Sequence, residues 1–88
     1  MHMDDLIKHL IEENLNPVDF KLVNESHKHA GHAGDDGSGQ THYKLIVVSK
    51  DFTGKSRIER QRSVFEILQP AFSKGLHAVS MKLSTPLE

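Results

Sequence analysis

The 88-residue sequence contains no cysteine and no tryptophan. Without cysteine there is no disulfide framework, no cysteine-type zinc finger and no thiol nucleophile. Any iron–sulfur chemistry must therefore draw its thiolates from another molecule. No apolar run approaches the roughly 18 residues of a membrane span, and no charged-then-apolar leader opens the chain, so no membrane role is expected. It reads as soluble and intracellular. A phosphate-binding glycine motif and an H-E-x-x-H helix are also missing. Glu25, Ser26 and His27 are adjacent in sequence, which does not build the spatially converging groups of a catalytic triad. No enzyme is expected.

What is present fits one small globular domain over residues 1–88: 36% hydrophobic and 26% charged side chains. A chain this short buries only roughly 60–65% of its unfolded surface, so the core is thin. The net charge of −1 does not announce a nucleic-acid binder. Its distribution is uneven. Residues 1–25 carry two lysines against six acids, whereas Lys44, Lys50, Lys55, Arg57, Arg60 and Arg62 face only Asp51 and Glu59. Seven histidines are present, four of them (His27, His29, His32 and His42) within residues 27–42.

Leu6, Ile7, Leu10 and Ile11 repeat at helical spacing, with Asp4 and Asp5 suited to a helix N-terminus and Pro17 closing the element; a helix over about 4–14 is predicted. Val18, Phe20 and Leu22 alternate with Asp19 and Lys21, the period of a half-buried strand. Residues 26–40 hold four of the six glycines and no large apolar side chain, which predicts a long mobile loop. The run from Thr41 to Ser49 is β-branched and nearly continuous, as in a central strand.

Phe52-Thr-Gly-Lys55 predicts a turn, and Ser56-Arg-Ile-Glu59 a capping box. Ile58, Val64, Phe65, Leu68 and Phe72 keep helical spacing as far as Lys74, with a kink expected at Pro70 and Gly75 terminating the helix. On this reading Arg60 and Arg62 lie off the apolar stripe of Ile58, Phe65 and Leu68. Val79, Met81 and Leu83 alternate in a last strand opened by Leu76 and His77. Met1-His2, ahead of a second methionine, and the closing Leu87-Glu88 read as additions to the natural chain, so His2 is left out of site reasoning.

The order is α-β-β-α-β, an α+β fold with a three-stranded mixed sheet and helices packed on it. Strands one and two, joined by a loop, should pair antiparallel; strands two and three, joined by a helix, should run parallel through a right-handed crossover. Parallel strands start at one end of a sheet. His42, His77 and the loop with His27, His29 and His32 then share one edge, and the Phe52–Lys55 turn lies at the opposite end.

Asn24-Glu-Ser26 ahead of a His-rich loop, Thr41-His-Tyr43 opening an apolar strand, Phe52-Thr-Gly54 followed by Arg60-Gln-Arg62, and Leu76-His-Ala78 form an ordered set that resembles the BolA family over essentially the whole chain. The family's helix motif usually has a histidine where Gln61 stands, and its tryptophan after Thr-Pro is absent here. The resemblance implies an α+β fold similar to class II KH domains. It also implies pairing with a monothiol glutaredoxin and a shared 2Fe–2S cluster, for which the glutaredoxin cysteine and glutathione supply sulfur. The matching histidine ligands are His77 and, in the loop, His29, with His32 or His27 as alternatives. No cluster is expected to be held tightly by the chain alone, which would be a monomer or weak homodimer. A cytoplasmic location is expected, or a mitochondrial one if a transit segment precedes the chain.

Each site residue also has a plainer reading. His77 is a polar residue at a strand start, and imidazole is equally a ligand for iron or zinc. His27, His29 and His32 belong to a solvated loop. His42 reads as structural support, hydrogen-bonding across to His77. Lys55, Arg57, Arg60 and Arg62 are a solvated helix face, a partner surface or a set of DNA or RNA phosphate contacts. The chain lacks the Gly-x-x-Gly clamp of nucleic-acid-binding KH domains and a series of aromatic residues for base stacking. Three functions remain open: a cluster-sharing adaptor, a KH-like nucleic-acid-binding regulator, and a histidine zinc site.

Overall fold

The computed structural model describes residues 2–29 and 37–88, the His29 side chain excepted. Helix α1 spans Met3–Asn14, and its N-terminus is capped by the His2 ring, which accepts from the Asp4 N–H. Met3, Ile7, Ile11 and Leu15 follow one another at four-residue spacing and are all buried, with Leu6 and Leu10 packed beside them. Strand β1 (Pro17–Asn24) pairs antiparallel with β2 (His42–Ser49), and β2 pairs parallel with β3 (Ala78–Ser84), in the order β1-β2-β3.

One face of β2 carries Tyr43, Leu45 and Val47, which enter the core with Phe52, Val64, Leu68, Ala71 and Leu76. On the other face Lys44 is exposed while Ile46 and Val48 are half-buried. Tyr43 donates its hydroxyl to Asp4 Oδ1 (2.5 Å), tying α1 to the sheet. Burial first, and then this carboxylate, push the phenol well above its ordinary pKa. Val18 departs from the expected alternation and is 60% exposed. The pairing register shifts between Pro17 and Asp19, and the shift turns Val18 outward while Phe20 and Leu22 stay on the core face.

The second helical stretch differs from the expectation in two ways. Instead of one kinked helix there are two, α2 (Arg57–Ile67) and α3 (Gln69–Ser73), joined at Leu68. Pro70 has no N–H to donate to the preceding turn, and its fixed φ suits the first turn of a new helix instead. The buried face is also rotated. Val64, Leu68 and Ala71 are buried, whereas Ile58 is 59% and Phe65 40% exposed. The expected Ser56–Glu59 capping box is present, with both reciprocal bonds formed. At the end of α3, Gly75 has φ +119°, and Leu76 N–H and Gly75 N–H close onto the Ala71 and Phe72 carbonyls. That paired closure is the glycine-dependent helix stop the sequence suggested.

Candidate functional site

The end of the sheet where β2 and β3 begin gathers the histidines. Asn24 finishes β1; its Oδ1 accepts from the Ser26 N–H (2.9 Å), and its amide reaches across to the Gly39 carbonyl (2.7 Å). One side chain thus holds both stems of the connection. A short 3-10 turn, Ser26–His29, follows and carries His27 on its exposed side.

Ser26 is buried, and its hydroxyl oxygen accepts from the N–H groups of Thr41 (3.0 Å) and His42 (3.1 Å). A serine used in this way is a structural latch rather than a nucleophile.

Thr41 is the centre of the arrangement. Its carbonyl accepts from both His77 N–H (2.9 Å) and Ala78 N–H (3.1 Å), which sets the start of β3 against the start of β2. Its hydroxyl lies 2.8 Å from His42 Nδ1. One residue therefore touches the loop stem through Ser26, the His42 ring through its side chain and the His77 backbone through its carbonyl. Neither Ser26 nor Thr41 was assigned a role from sequence, although the side chain of an Asn two residues before a Ser can accept the serine N–H in a turn.

His42 is buried, and its ring sits 5.2 Å from that of His77, centroid to centroid, inclined at 46°. The contact between the two histidines is this one between their rings, and His42 Nδ1 is paired with the Thr41 hydroxyl. His77 itself is exposed, and its ring nitrogens make no hydrogen bond among the described residues. Beside the pair lies a shallow cavity of about 220 Å³ lined by Glu25, His42, Tyr43, Ala78, Val79 and Ser80. The structure brings His77 and His42 together at the edge from which the His27 turn leaves. His32 lies outside the described residues, as does the His29 side chain. Among the described residues there is no group of three or more His, Asp or Glu side chains that could hold a metal ion.

The basic end is at the other end of β2, after a second 3-10 turn, Lys50–Phe52. Gly54, at φ +77°, makes the turn into α2. Lys55, Arg57 and Arg62 are exposed and make no ion pair among the described residues. Arg60 is different. The rotation of α2 places it against β3, where Nη1 donates to the Leu83 carbonyl (3.2 Å) and the guanidinium lies 6.0 Å from the centre of the Phe52 ring. Its two terminal nitrogens grip Glu88 at 2.6 and 2.7 Å. The Arg60 bond first, and then the Thr85 N–H, hold the Glu88 carboxyl down at about 2.

The strand order and the helices packed on the sheet are those of solved structures of one family. The family described as BolA-like protein matches residues 11–88. The chain belongs to the BolA family. It is 41% identical over 86 residues to SufE-like protein 1, chloroplastic/mitochondrial, of Arabidopsis thaliana, covering 93% of this chain but only 23% of that protein. The structure of BolA1 from the same plant superposes with a TM-score of 0.83 at 34% identity, covering 94% of this chain and 90% of that one. A more distant relative is the DNA-binding transcriptional regulator BolA of Haemophilus influenzae, 27% identical over 88 residues, spanning all of this chain and 82% of that protein. BolA proteins act as regulators or iron–sulfur partners and are generally not enzymes. No helix among the described residues is long and apolar enough to cross a membrane.

Proposed function

We propose that this BolA-like chain is a non-enzymatic adaptor that pairs with a monothiol glutaredoxin and shares a 2Fe–2S cluster with it, in iron–sulfur trafficking or iron sensing. The observation that carries the reading is His77. It is exposed at the start of β3, backed by buried His42, and its backbone is fixed by the Thr41 carbonyl.

The donor set fits half of such a site. The chain has no thiolate to offer, and no described group of three donors could hold a metal unaided, but it presents an imidazole, a nitrogen ligand known to replace cysteine on clusters. His77 would supply one ligand and His29 a second, with His32 or His27 in its place; the glutaredoxin cysteine and glutathione would supply the rest. When bound, the cluster supplies a redox-active iron–sulfur unit that can be passed on. The protein's own residues present and orient the imidazole. Thr41 and Ser26 lock the two strand starts and the loop stem together, so the ring is offered from a fixed backbone.

The test is co-expression with a monothiol glutaredoxin. The purified pair should show the visible absorption of a 2Fe–2S cluster, and the chain alone should be colourless. A coloured, cluster-loaded homodimer without added thiol, or a colourless pair, would sink the reading.

A second reading is nucleic-acid binding at the basic end. The DNA-binding description of the Haemophilus influenzae relative supports it, as do the exposed cations Lys55, Arg57 and Arg62, which make no ion pair among the described residues. Replacing Arg57 and Arg62 by Gln should then reduce the salt slope of DNA affinity by roughly one per lost phosphate contact.

A further inference from the structure

The outer edge of β3, beside α2, carries chemistry that the histidine end does not use. The sheet order leaves β3 as an edge strand. Ala78 N–H points to β2, where it meets the Thr41 carbonyl. Backbone groups alternate along a strand, so Ser80, Lys82 and Ser84 also turn toward β2, while Val79, Met81 and Leu83 turn theirs outward. The Leu83 carbonyl confirms the phase, since it is taken from outside by Arg60. Outward N–H and C=O groups of this kind are a template for another strand.

Along the same edge lies a cavity of about 240 Å³ lined by Arg57, Arg60, Gln61, Met81, Lys82 and Leu83. Its lining has three cations, an apolar floor and no carboxylate. What such a groove accepts is visible at its end, where Glu88 places both carboxylate oxygens on Arg60. The tail is held there by a turn in which Glu88 and Thr85 exchange two bonds.

We infer that this edge docks an acidic, extended peptide segment of a partner protein, which adds to β3 as a fourth strand, places carboxylates on Arg57 and Arg60, and displaces Glu88. A strand offers alternating donors and acceptors to match the outward groups of Val79 and Met81, and projects every second side chain to one side. A nucleic-acid backbone offers phosphate acceptors without that alternation, so the paired edge favours a peptide. The inference stands whether or not the histidine end binds a cluster.

The experiment uses the full chain and a fluorescein-labelled peptide of alternating valine and glutamate, six residues long, read by fluorescence anisotropy. Glu88→Gln removes the internal competitor and should tighten binding about threefold, in proportion to an exposed ion pair. Arg57→Gln should weaken binding roughly threefold and flatten its salt dependence. The position is exposed, and circular dichroism should show the fold intact. Two further peptides, N-methylated at the valines or at the glutamates, keep every carboxylate, and at least one should fail to bind because it cannot pair with the edge. Binding indifferent to N-methylation or to the charge variants would overturn the proposal. So would a single-stranded oligonucleotide that bound more tightly than the peptide and responded to the same variants.

Discussion

Replacing Ser26 by alanine removes one oxygen atom from the point where the loop stem meets β2. That oxygen accepts from two backbone donors, Thr41 N–H and His42 N–H, and all three residues are buried. An orphaned buried donor costs about 1–3 kcal/mol, so two of them, with some relaxation of the turn, should cost about 2–4 kcal/mol. For a chain of this length roughly 4–8 °C of Tm goes with each kcal/mol, so the melting temperature should fall by roughly 8–32 °C. Urea denaturation followed by circular dichroism gives the free energy. Hydrogen exchange then localises it, and the Thr41 and His42 amides should lose protection beyond the global change. Ser26→Thr keeps the acceptor and should recover most of the loss. A Ser26→Ala protein less than about 0.5 kcal/mol weaker than the parent would show that the hydroxyl does not carry these two donors.

Leu68→Ala, at a fully buried position in the core, should cost about 2–5 kcal/mol, whereas Ile58→Ala, at 59% exposure, should fall within about 0.5 kcal/mol of the parent. Equal losses in denaturant would contradict the rotation of α2. The Glu88 carboxyl sits at about 2, below its ordinary value of 4.5, because Arg60 grips it. Its contribution is therefore complete above the ordinary glutamate range and is lost as pH falls toward 2. The Thr85 amide shift in NMR spectra should follow with a midpoint near 2, and a midpoint near 4.5 would dissolve the clamp.

Much of the architecture was legible because its signals are local. The alternation of Val79, Met81 and Leu83, the Ser56–Glu59 pair and Gly75 each reflect backbone geometry within a few residues. The histidine edge followed from topology, since a parallel β2–β3 pair must start at one end. The rotation of α2 was not legible. Its sequence offers two overlapping apolar arcs, Val64/Leu68/Ala71 and Ile58/Phe65/Phe72, and only packing against the sheet and α1 decides between them. The Arg60 clamp was hidden for a related reason, because its partner Glu88 lies 28 residues away. The Ser26–Thr41 latch likewise joins residues separated by the whole loop, and its signal, Asn24-Glu-Ser26, reads locally as no more than a turn.

The central claim is that this chain gives an imidazole nitrogen of His77 to a cluster shared with a glutaredoxin. The most direct measurement is pulsed electron paramagnetic resonance on the reduced complex, with only this chain labelled with ¹⁵N-histidine. Nitrogen-15 couplings to the cluster should appear in the parent complex and diminish in His77→Ala, while circular dichroism shows the variant still folded. A complex with a full cluster but no ¹⁵N coupling, or with couplings unchanged in His77→Ala, would contradict the account.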